Sequence, residues 1–173
     1  QKFGVESLQN ISPKLGVPVV PAAAERVSSV VELLTKVQKF VLQPKLDGLR
    51  IQVHKFTMDG VSNVKFFSRN LLDVTDMFPE LTASFLQMTL TDFIVEGEVI
   101  SYDQVSDKNL SFQVTSQRRR KYNIEETATA SPVRIFLFDI LHLQDYLLLE
   151  EPYHCRRKIL VENFEASGSN IIV

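Results

Sequence analysis

One lysine in this sequence has neighbours that could make it a nucleophile. It is Lys45, within the run QPKLDGLR at residues 43–50. Apolar neighbours and the positive charge of Arg50 can lower an ammonium pKa through desolvation and like-charge repulsion. A neutral amine can then attack an electrophile. A short Lys-x-Asp-Gly run taken alone is more often a surface lysine beside a turn, so the rest of the chain has to decide between these two interpretations.

Two carboxylates lie two positions apart, Glu96 and Glu98, inside a segment predicted to be a strand. Residues i and i+2 of a strand point to the same face of the sheet, so these two side chains share one environment. Carboxylates that faced an apolar core would carry a large desolvation cost. We therefore expect both to line a cleft. Asp139 interrupts a second, strongly apolar strand and needs either a polar partner or a functional role.

The composition is that of an ordinary globular protein. Its 173 residues are enough for one domain with a proper core, or for a large part of a bigger protein. The sequence has no apolar run long enough to span a membrane and no signal-peptide pattern, so we expect an intracellular chain without a membrane partner. Cys155 is the only cysteine, which excludes an internal disulfide, and no Cys/His cluster has zinc-site spacing.

The formal net charge of -2 sets a condition on any nucleic-acid partner. A domain that grips nucleic acid alone usually carries a basic excess, so such affinity has to come from a local patch or from other domains. The densest basic run is Arg118-Arg119-Arg120-Lys121. It could be the solvated end of a helix or a patch that contacts phosphates.

The sequence patterns predict an α+β fold, with antiparallel sheets that form a cleft and helices packed outside. The predicted strands are Phe40–Pro44, Leu49–Thr57, Asn63–Ser68, Phe93–Ser101, Val133–Leu143 and a short one beginning at Ile171. The predicted helices run from a Ser28 or Ser29 cap through Val37, from Thr75 or Asp76 to about Gln87, from Asn109 or Ser111 to about Arg119, and from Glu151 to about Phe164.

Four motifs follow one another on these elements: KLDGLR at 45–50, FSRN at 67–70, EGEV at 96–99 and FLFDIL at 136–141. Their order and spacing closely resemble the adenylation domain of ATP-dependent DNA ligases, in the covalent lysyl-nucleotidyltransferase superfamily. The resemblance covers roughly residues 17 to 165, and FQVTSQRRRK at 112–121 is similar to the archaeal and eukaryotic replicative branch. It implies an ATP-grasp-like nucleotidyltransferase domain over residues 17–173, with its C-terminal part missing.

The resemblance also implies catalytic roles. Lys45 would attack the α-phosphate of ATP, displace pyrophosphate and form lysyl-AMP. AMP would pass to the 5'-phosphate of a nick before the 3'-hydroxyl closes the bond, with Asp47 assisting the sealing step. Arg50 and Arg69 would contact phosphate oxygens, for which a guanidinium offers two parallel donors. Together with Mg²⁺, these arginines would help to lower the lysine pKa.

The remaining site residues would hold the nucleoside and the metal. In the family, Glu98 would accept a hydrogen bond from the ribose and Phe138 would stack on adenine; without the resemblance, Phe138 could equally be a core residue. Gln43 occupies a place where relatives often have a glutamate that reads the adenine amino group. Its carbonyl can accept that bond, but its amide could also turn and donate. Glu98 and Glu96 are the candidate Mg²⁺ ligands.

The resemblance implies partners beyond this chain. The family has an upstream DNA-binding domain, to which residues 1–16 would be the linker, and a downstream oligonucleotide-binding domain. A later Glu-Gly strand and a Lys-x-Lys strand also complete the family's pocket. The expected partner is nicked double-stranded DNA, bound by a monomer that is cytoplasmic in a prokaryote or nuclear in a eukaryote.

Two alternatives stay open at this point. An RNA ligase or an mRNA-capping guanylyltransferase would share the lysine chemistry but differ in base or acceptor. A non-catalytic module that binds nucleotide or DNA could have kept the fold without the reaction.

Overall fold

The computed structural model describes residues 12–118, 131–165 and 170–173. The four long strands predicted from the sequence are present and form most of one six-stranded sheet. In chain order the elements are α1 (Val30–Lys36), β1 (Leu49–Met58), β2 (Val61–Ser68), a 3-10 turn (Thr75–Met77), α2 (Pro79–Gln87), β3 (Phe93–Ser101), α3 (Phe112–Gln117), β4 (Val133–Leu143), β5 (Tyr146–Leu147), α4 (Tyr153–Phe164) and β6 (Ile171–Ile172).

The sheet has the strand order β2-β1-β3-β4-β5, and neighbours along this path are antiparallel. β6 joins the outer edge of β4 in parallel, with Ile171 opposite Ile135. The mixture of helices with a mainly antiparallel sheet confirms the predicted fold class. Asp59 and Gly60 both have positive φ at the β1–β2 turn, as a tight hairpin requires.

Alternation along the strands separates two faces of the sheet. In β1, Leu49, Ile51 and Val53 belong to the hydrophobic core. The core also takes in α2 and α4 through buried residues such as Phe85 and Phe164. The alternate positions of β1 lie on the opposite face and are polar or charged: Arg50, Gln52 and His54. This polar face carries the predicted site residues.

Two predicted elements differ in the structure. Phe40–Pro44 is not a strand, because Pro44 lacks a donor and the segment pairs with no strand among the described residues; Leu42 is 82% exposed. The second helix begins at Pro79 rather than at Thr75 or Asp76. A residue before proline is kept out of helical geometry, and Phe78 has φ -134° and ψ 59°.

Helix α1 begins where the sequence predicts but does not bury its apolar side. Ser29 caps it by accepting a hydrogen bond from the Glu32 amide. No residue of the helix is buried, and Val30, Val31 and Leu34 are each more than half exposed. The predicted apolar face of α1 is therefore exposed to solvent in this chain.

Within the described residues, no helix is both long enough and apolar enough to cross a membrane.

Candidate active site

One cleft of about 960 Å³ brings together most of the residues selected from the sequence. It lies at the junction of the segment before β1 with the polar face of the sheet. The predicted site residues that line it are Gln43, Lys45, Asp47, Arg50, Arg69, Glu98 and Phe138. Residues far apart in the sequence thus line one cavity. Its volume is within the range expected of a small-molecule site.

The loop that carries Lys45 is fastened to the sheet at Gly48. The Gly48 amide donates to Oε1 of Glu98 at 3.0 Å. A Cβ at this position would lie 2.3 Å from the carbonyl oxygen of Val99 and 2.7 Å from Cγ1 of Ile100. Only glycine lets the backbone approach β3 this closely. The glycine of the Lys-x-Asp-Gly run therefore fixes the distance between the lysine loop and Glu98.

Lys45 itself is exposed, and its ammonium donates to the carbonyl of Leu46 at 2.9 Å. The sequence predicted desolvation by apolar neighbours, and that part of the prediction is wrong for this arrangement. The reason is local: residues 41–45 are all exposed. Any desolvation of the amine has to come from what enters the cleft.

The carboxyl group of Glu98 interacts electrostatically with several groups of the cleft. Burial raises the pKa of the Glu98 carboxyl, and the Gly48 amide, Lys45 and Arg50 each oppose that rise. Asp47 adds to it through like-charge repulsion. All four groups therefore lie within electrostatic reach of one carboxylate, which supports the grouping predicted from the sequence.

Glu96 lies under the cleft rather than in it. Its Oε2 accepts from Nη2 of Arg50 at 2.5 Å, and its Oε1 accepts from Nε2 of Gln52 at 3.1 Å. Gln52 also holds Val19, donating to its carbonyl and accepting from its amide. Both Glu96 oxygens are thus used by the protein, so Glu96 orients Arg50 and is not placed to bind the metal predicted for it.

Glu98 fits a magnesium ion better than Glu96 does. Mg²⁺ is usually bound through one or two carboxylates, with substrate phosphates and water completing its shell. In the described part of the chain, no three His, Cys, Asp or Glu side chains converge on a possible ion position. A single cleft-facing carboxylate next to bound phosphates is compatible with that pattern.

Arg69 is the least constrained cation of the cleft. It follows β2 and is exposed. No hydrogen bond or ion pair engages its side chain within residues 12–118, 131–165 and 170–173. Arg50, in contrast, is held by Glu96. Arg50 therefore offers the cleft a fixed guanidinium, whereas the guanidinium of Arg69 is free to follow an anion.

A β-bulge in β4 singles out Phe138. The register of β3 against β4 shifts at Glu96/Gly97, which leaves Phe138 without a partner residue on β3. Bulges re-aim side chains, and Phe138 is half-buried at the cleft wall. The Arg50 guanidinium lies 5.4 Å from the centre of its ring. Phe138 is therefore available for stacking rather than being packed in the core.

Helix α4 supports this bulge with side chains that the sequence analysis did not select. The Tyr153 hydroxyl donates to the carbonyl of Phe138 at 2.7 Å. Nη1 of Arg157 donates to the carbonyl of Leu137 at 3.0 Å, and Arg157 also lines the cleft. The irregular backbone of the bulge thus finds hydrogen-bond donors outside the sheet, as buried carbonyls require.

Asp139 has the partner that its position required. Nε and Nη2 of Arg156 donate to its two carboxylate oxygens at 2.8 and 2.9 Å. The hydrogen-bonded carboxylate raises the pKa of Arg156. An aspartate inside an apolar strand was the only sequence signal for this pair, and nothing in it pointed to a particular arginine.

The basic run at residues 118–121 is only partly described, since Arg119 to Lys121 lie outside the described residues. Arg118 is buried, forms an ion pair with Glu80 at 2.6 Å and donates to the carbonyl of Met77. Neither predicted role applies to it. It is neither a solvated helix end nor a phosphate contact, because its guanidinium is used inside the fold.

Comparisons with known proteins show to which family this chain belongs. Residues 21–173 match the family model described as the ATP dependent DNA ligase domain. A probable DNA ligase of Dictyoglomus turgidum is 43% identical over 171 residues, and DNA ligase 2 of Thermofilum pendens is 35% identical over the same length. Each alignment covers 98% of this chain and 28% of the relative, so the chain spans less than a third of their length.

A solved structure shares the fold. The mycobacterial DNA ligase D complexed with ATP and MES superposes with a TM-score of 0.55 and 25% identity, over 76% of this chain and 38% of that one. The sequence match extends over most of the chain and includes every residue that lines the cleft. On this evidence the chain belongs to the family of ATP-dependent DNA ligase domains.

Proposed function

We propose that this chain is the adenylating part of an ATP-dependent DNA ligase and that Lys45 carries AMP during the reaction. The observation that carries the proposal is the cleft in which Lys45, Arg50 and Glu98 meet in a member of this family. ATP in the related ligase D structure supports a nucleotide as the occupant. The same proposal takes residues 17–173 as the domain and residues 1–16 as its upstream linker.

In the first step, Nζ of Lys45 attacks the α-phosphorus of ATP. An N–P bond forms and the bond from that phosphorus to pyrophosphate breaks. The ammonium loses its proton before attack, since only the neutral amine is nucleophilic. Arg50, fixed by Glu96, contacts phosphate oxygens, and exposed Arg69 closes on them. These cations offset the charge that develops on the phosphates.

The nucleoside end is held by three groups on different elements. Phe138 stacks on the base and Glu98 accepts from a ribose hydroxyl, both from the sheet. Gln43 reads the edge of the base from the segment before β1. Glu98 would hold Mg²⁺ beside the phosphates, and the ion would supply charge neutralisation there.

The later steps need DNA. A 5'-phosphate oxygen of a nick attacks the AMP phosphorus as the N–P bond to Lys45 breaks. The 3'-hydroxyl, its proton removed with help from Asp47, then attacks the 5'-phosphate and releases AMP. The net charge of -2 means that the chain has little general attraction for DNA. We therefore propose that the protein is a monomer and that other domains supply most of its DNA-binding affinity.

The test is covalent labelling. The chain is incubated with Mg²⁺ and α-labelled ATP, denatured and examined for retained label. We expect label on the wild type and none on Lys45→Ala. Lys39→Ala is the matched control, because Lys39 is also an exposed lysine and does not line the cleft. It should label like the wild type.

Other outcomes separate the alternatives. Label from GTP in preference to ATP would favour a capping guanylyltransferase. Nucleotide binding without any covalent label, in this chain and in the longer protein, would favour a non-catalytic module. Label that survives in Lys45→Ala would refute the assignment of the nucleophile.

A further inference from the structure

Gln52 follows Arg50 on the polar face of β1 and is buried, with 5% of its surface exposed. The strand register places it opposite Glu96 on β3. Gln52 does not line the cleft around Lys45. Any effect of its side chain on a bound nucleotide therefore has to pass through its neighbours.

The partners of Gln52 fix the orientation of its amide. Oε1 accepts from the Val19 amide at 2.7 Å, and a backbone N–H can only donate. Nε2 donates to the Val19 carbonyl at 3.2 Å and to Oε1 of Glu96 at 3.1 Å, and a carbonyl and an ionised carboxylate can only accept. The reverse orientation would place donor against donor and acceptor against acceptor. The NH₂ group of Gln52 therefore faces Glu96.

His54 completes the hydrogen bonds of Gln52. Burial lowers the pKa of His54 to about 4, so the ring is neutral at neutral pH. Its Nδ1 accepts from the Gly16 amide at 3.1 Å, which puts the ring proton on Nε2. This Nε2 lies 2.9 Å from Oε1 of Gln52 and donates to it. All four hydrogen bonds of the buried Gln52 amide are thus made, which holds the side chain in one arrangement.

Glu96 connects this fixed amide to the cleft. Its Oε1 is held by Gln52, and its Oε2 accepts from Nη2 of Arg50 at 2.5 Å. A carboxylate that is held at one oxygen presents the other in a fixed direction, and a charge-assisted hydrogen bond then fixes the guanidinium. The direction of the Arg50 side chain therefore depends on Gln52, although the two side chains lie on the same strand and are joined only through β3.

We propose that Gln52 is a positioning residue for nucleotide adenylation, which holds Glu96 so that the Arg50 guanidinium is directed at the phosphates. This inference rests on the proposed function, because Arg50 acts on the same nucleotide. It gives a role to a residue outside the four motifs. It also links the backbone of Val19, which precedes the lysine segment, to the phosphate-binding side of the cleft.

The test compares equilibrium binding of two probes by titration calorimetry. The first is α,β-methylene-ATP, which has the phosphates but cannot transfer AMP, and the second is adenosine. Gln52→Met keeps the length of the side chain and removes its hydrogen bonds. We expect the ATP analogue to bind about three- to tenfold more weakly, because the phosphates lose an oriented charged donor. Adenosine, which has no phosphate for Arg50 to contact, should bind as it does to the wild type.

Gln87→Met is the matched control for this substitution. Gln87 is exposed at the end of α2 and does not line the cleft. The same change of side chain at that position should alter the affinity for neither probe.

A double-mutant cycle tests whether the effect passes through Arg50. In an Arg50→Ala background, Gln52→Met should change the affinity for the ATP analogue by less than about twofold. Circular dichroism shows whether each variant is folded. If Gln52→Met is unfolded, Gln52→Asn replaces it, because asparagine keeps a polar amide but is one methylene too short to reach all four partners. The same loss of phosphate-dependent affinity is expected.

The two probes distinguish failure of this inference from failure of the proposed function. Equal losses of affinity for both probes would indicate a general structural role and overturn the inference. An unchanged affinity for the ATP analogue, or the same loss with and without Arg50, would also overturn it. In these cases the wild type still binds the nucleotide and the proposed function stands. Binding of neither probe to the wild type refutes the proposed function, and this inference with it.

Discussion

The two sides of the cleft are built differently. On one side Arg50, Glu98 and Phe138 stand on β1, β3 and β4, where paired strands and α4 fix the backbone. On the other side Gln43 and Lys45 belong to a segment without strand pairing, in which residues 41–45 are exposed. Groups on strands are held more precisely than groups on loops. The structure thus separates side chains held by the sheet from an unpaired, exposed segment that carries the proposed nucleophile.

The sheet and the segment before β1 also differ in how well they are packed. Aromatic rings from the sheet and α2 interlock in the core, with Phe85 at 5.8 Å from Phe66 and 6.1 Å from Phe93. Helix α1, which leads into the lysine segment, buries none of its residues. The stability of this chain should therefore reside in the sheet and hardly at all in α1.

The largest effect should come from the core under the sheet. Phe85 is fully buried, so Phe85→Ala should lower the free energy of unfolding by about 3–5 kcal/mol through lost burial and the cavity left behind. Urea denaturation followed by circular dichroism measures it. A loss below about 1 kcal/mol would mean that the sheet is not the stable region.

An intermediate effect should appear on acidification, at the place where residues 12–19 meet the sheet. Burial lowers the pKa of His54 to about 4, and the nearby His142 contributes. His54 binds a proton near pH 6.5 in the unfolded chain but only near pH 4 in the folded chain. The contribution of neutral His54 to the free energy of unfolding is therefore complete above pH 6.5 and is lost as the pH falls toward 4. The loss should be about 3 kcal/mol.

The His54 prediction is checked against His54→Asn, which does not titrate in this range. Nδ1 of His54 accepts from the Gly16 amide at 3.1 Å, and an asparagine can still accept a hydrogen bond. Denaturation curves between pH 4 and 7 should show a weaker pH dependence in the variant. Parallel curves for the two proteins would show that His54 is not the group responsible.

The smallest effect should come from α1. Leu34 is 56% exposed, and glutamine has nearly the same helix propensity as leucine. Leu34→Gln should therefore change the free energy of unfolding by no more than about 0.5 kcal/mol. If urea denaturation showed the free energy of unfolding to fall by more than about 1 kcal/mol, the apolar face of α1 would be packed. The difference in packing between α1 and the sheet would then be refuted.

Alternation and turn chemistry were enough to predict β1 to β4, whereas the grouping of the site residues came from the resemblance of four motifs to a known family. Strict period-two patterns specify which face each side chain takes. They therefore placed Glu96 and Glu98 on one face of the sheet.

The rest depended on contacts that no local pattern encodes. A short apolar run such as Phe40–Pro44 resembles a strand, but strand formation needs a partner edge. The bulge at Phe138 arises from the register between two strands. The Arg156 partner of Asp139 and the burial of Arg118 come from packing of distant elements. The missed features are therefore those set by tertiary pairing.

Locating the adduct tests directly whether Lys45 is the nucleophile. The chain is incubated with ATP and Mg²⁺, digested, and its peptides are analysed by mass spectrometry for a lysine that carries AMP. We predict AMP on Lys45, on the exposed side of the cleft, and on no other lysine. AMP on a different lysine, or bound ATP with no adduct, would contradict it.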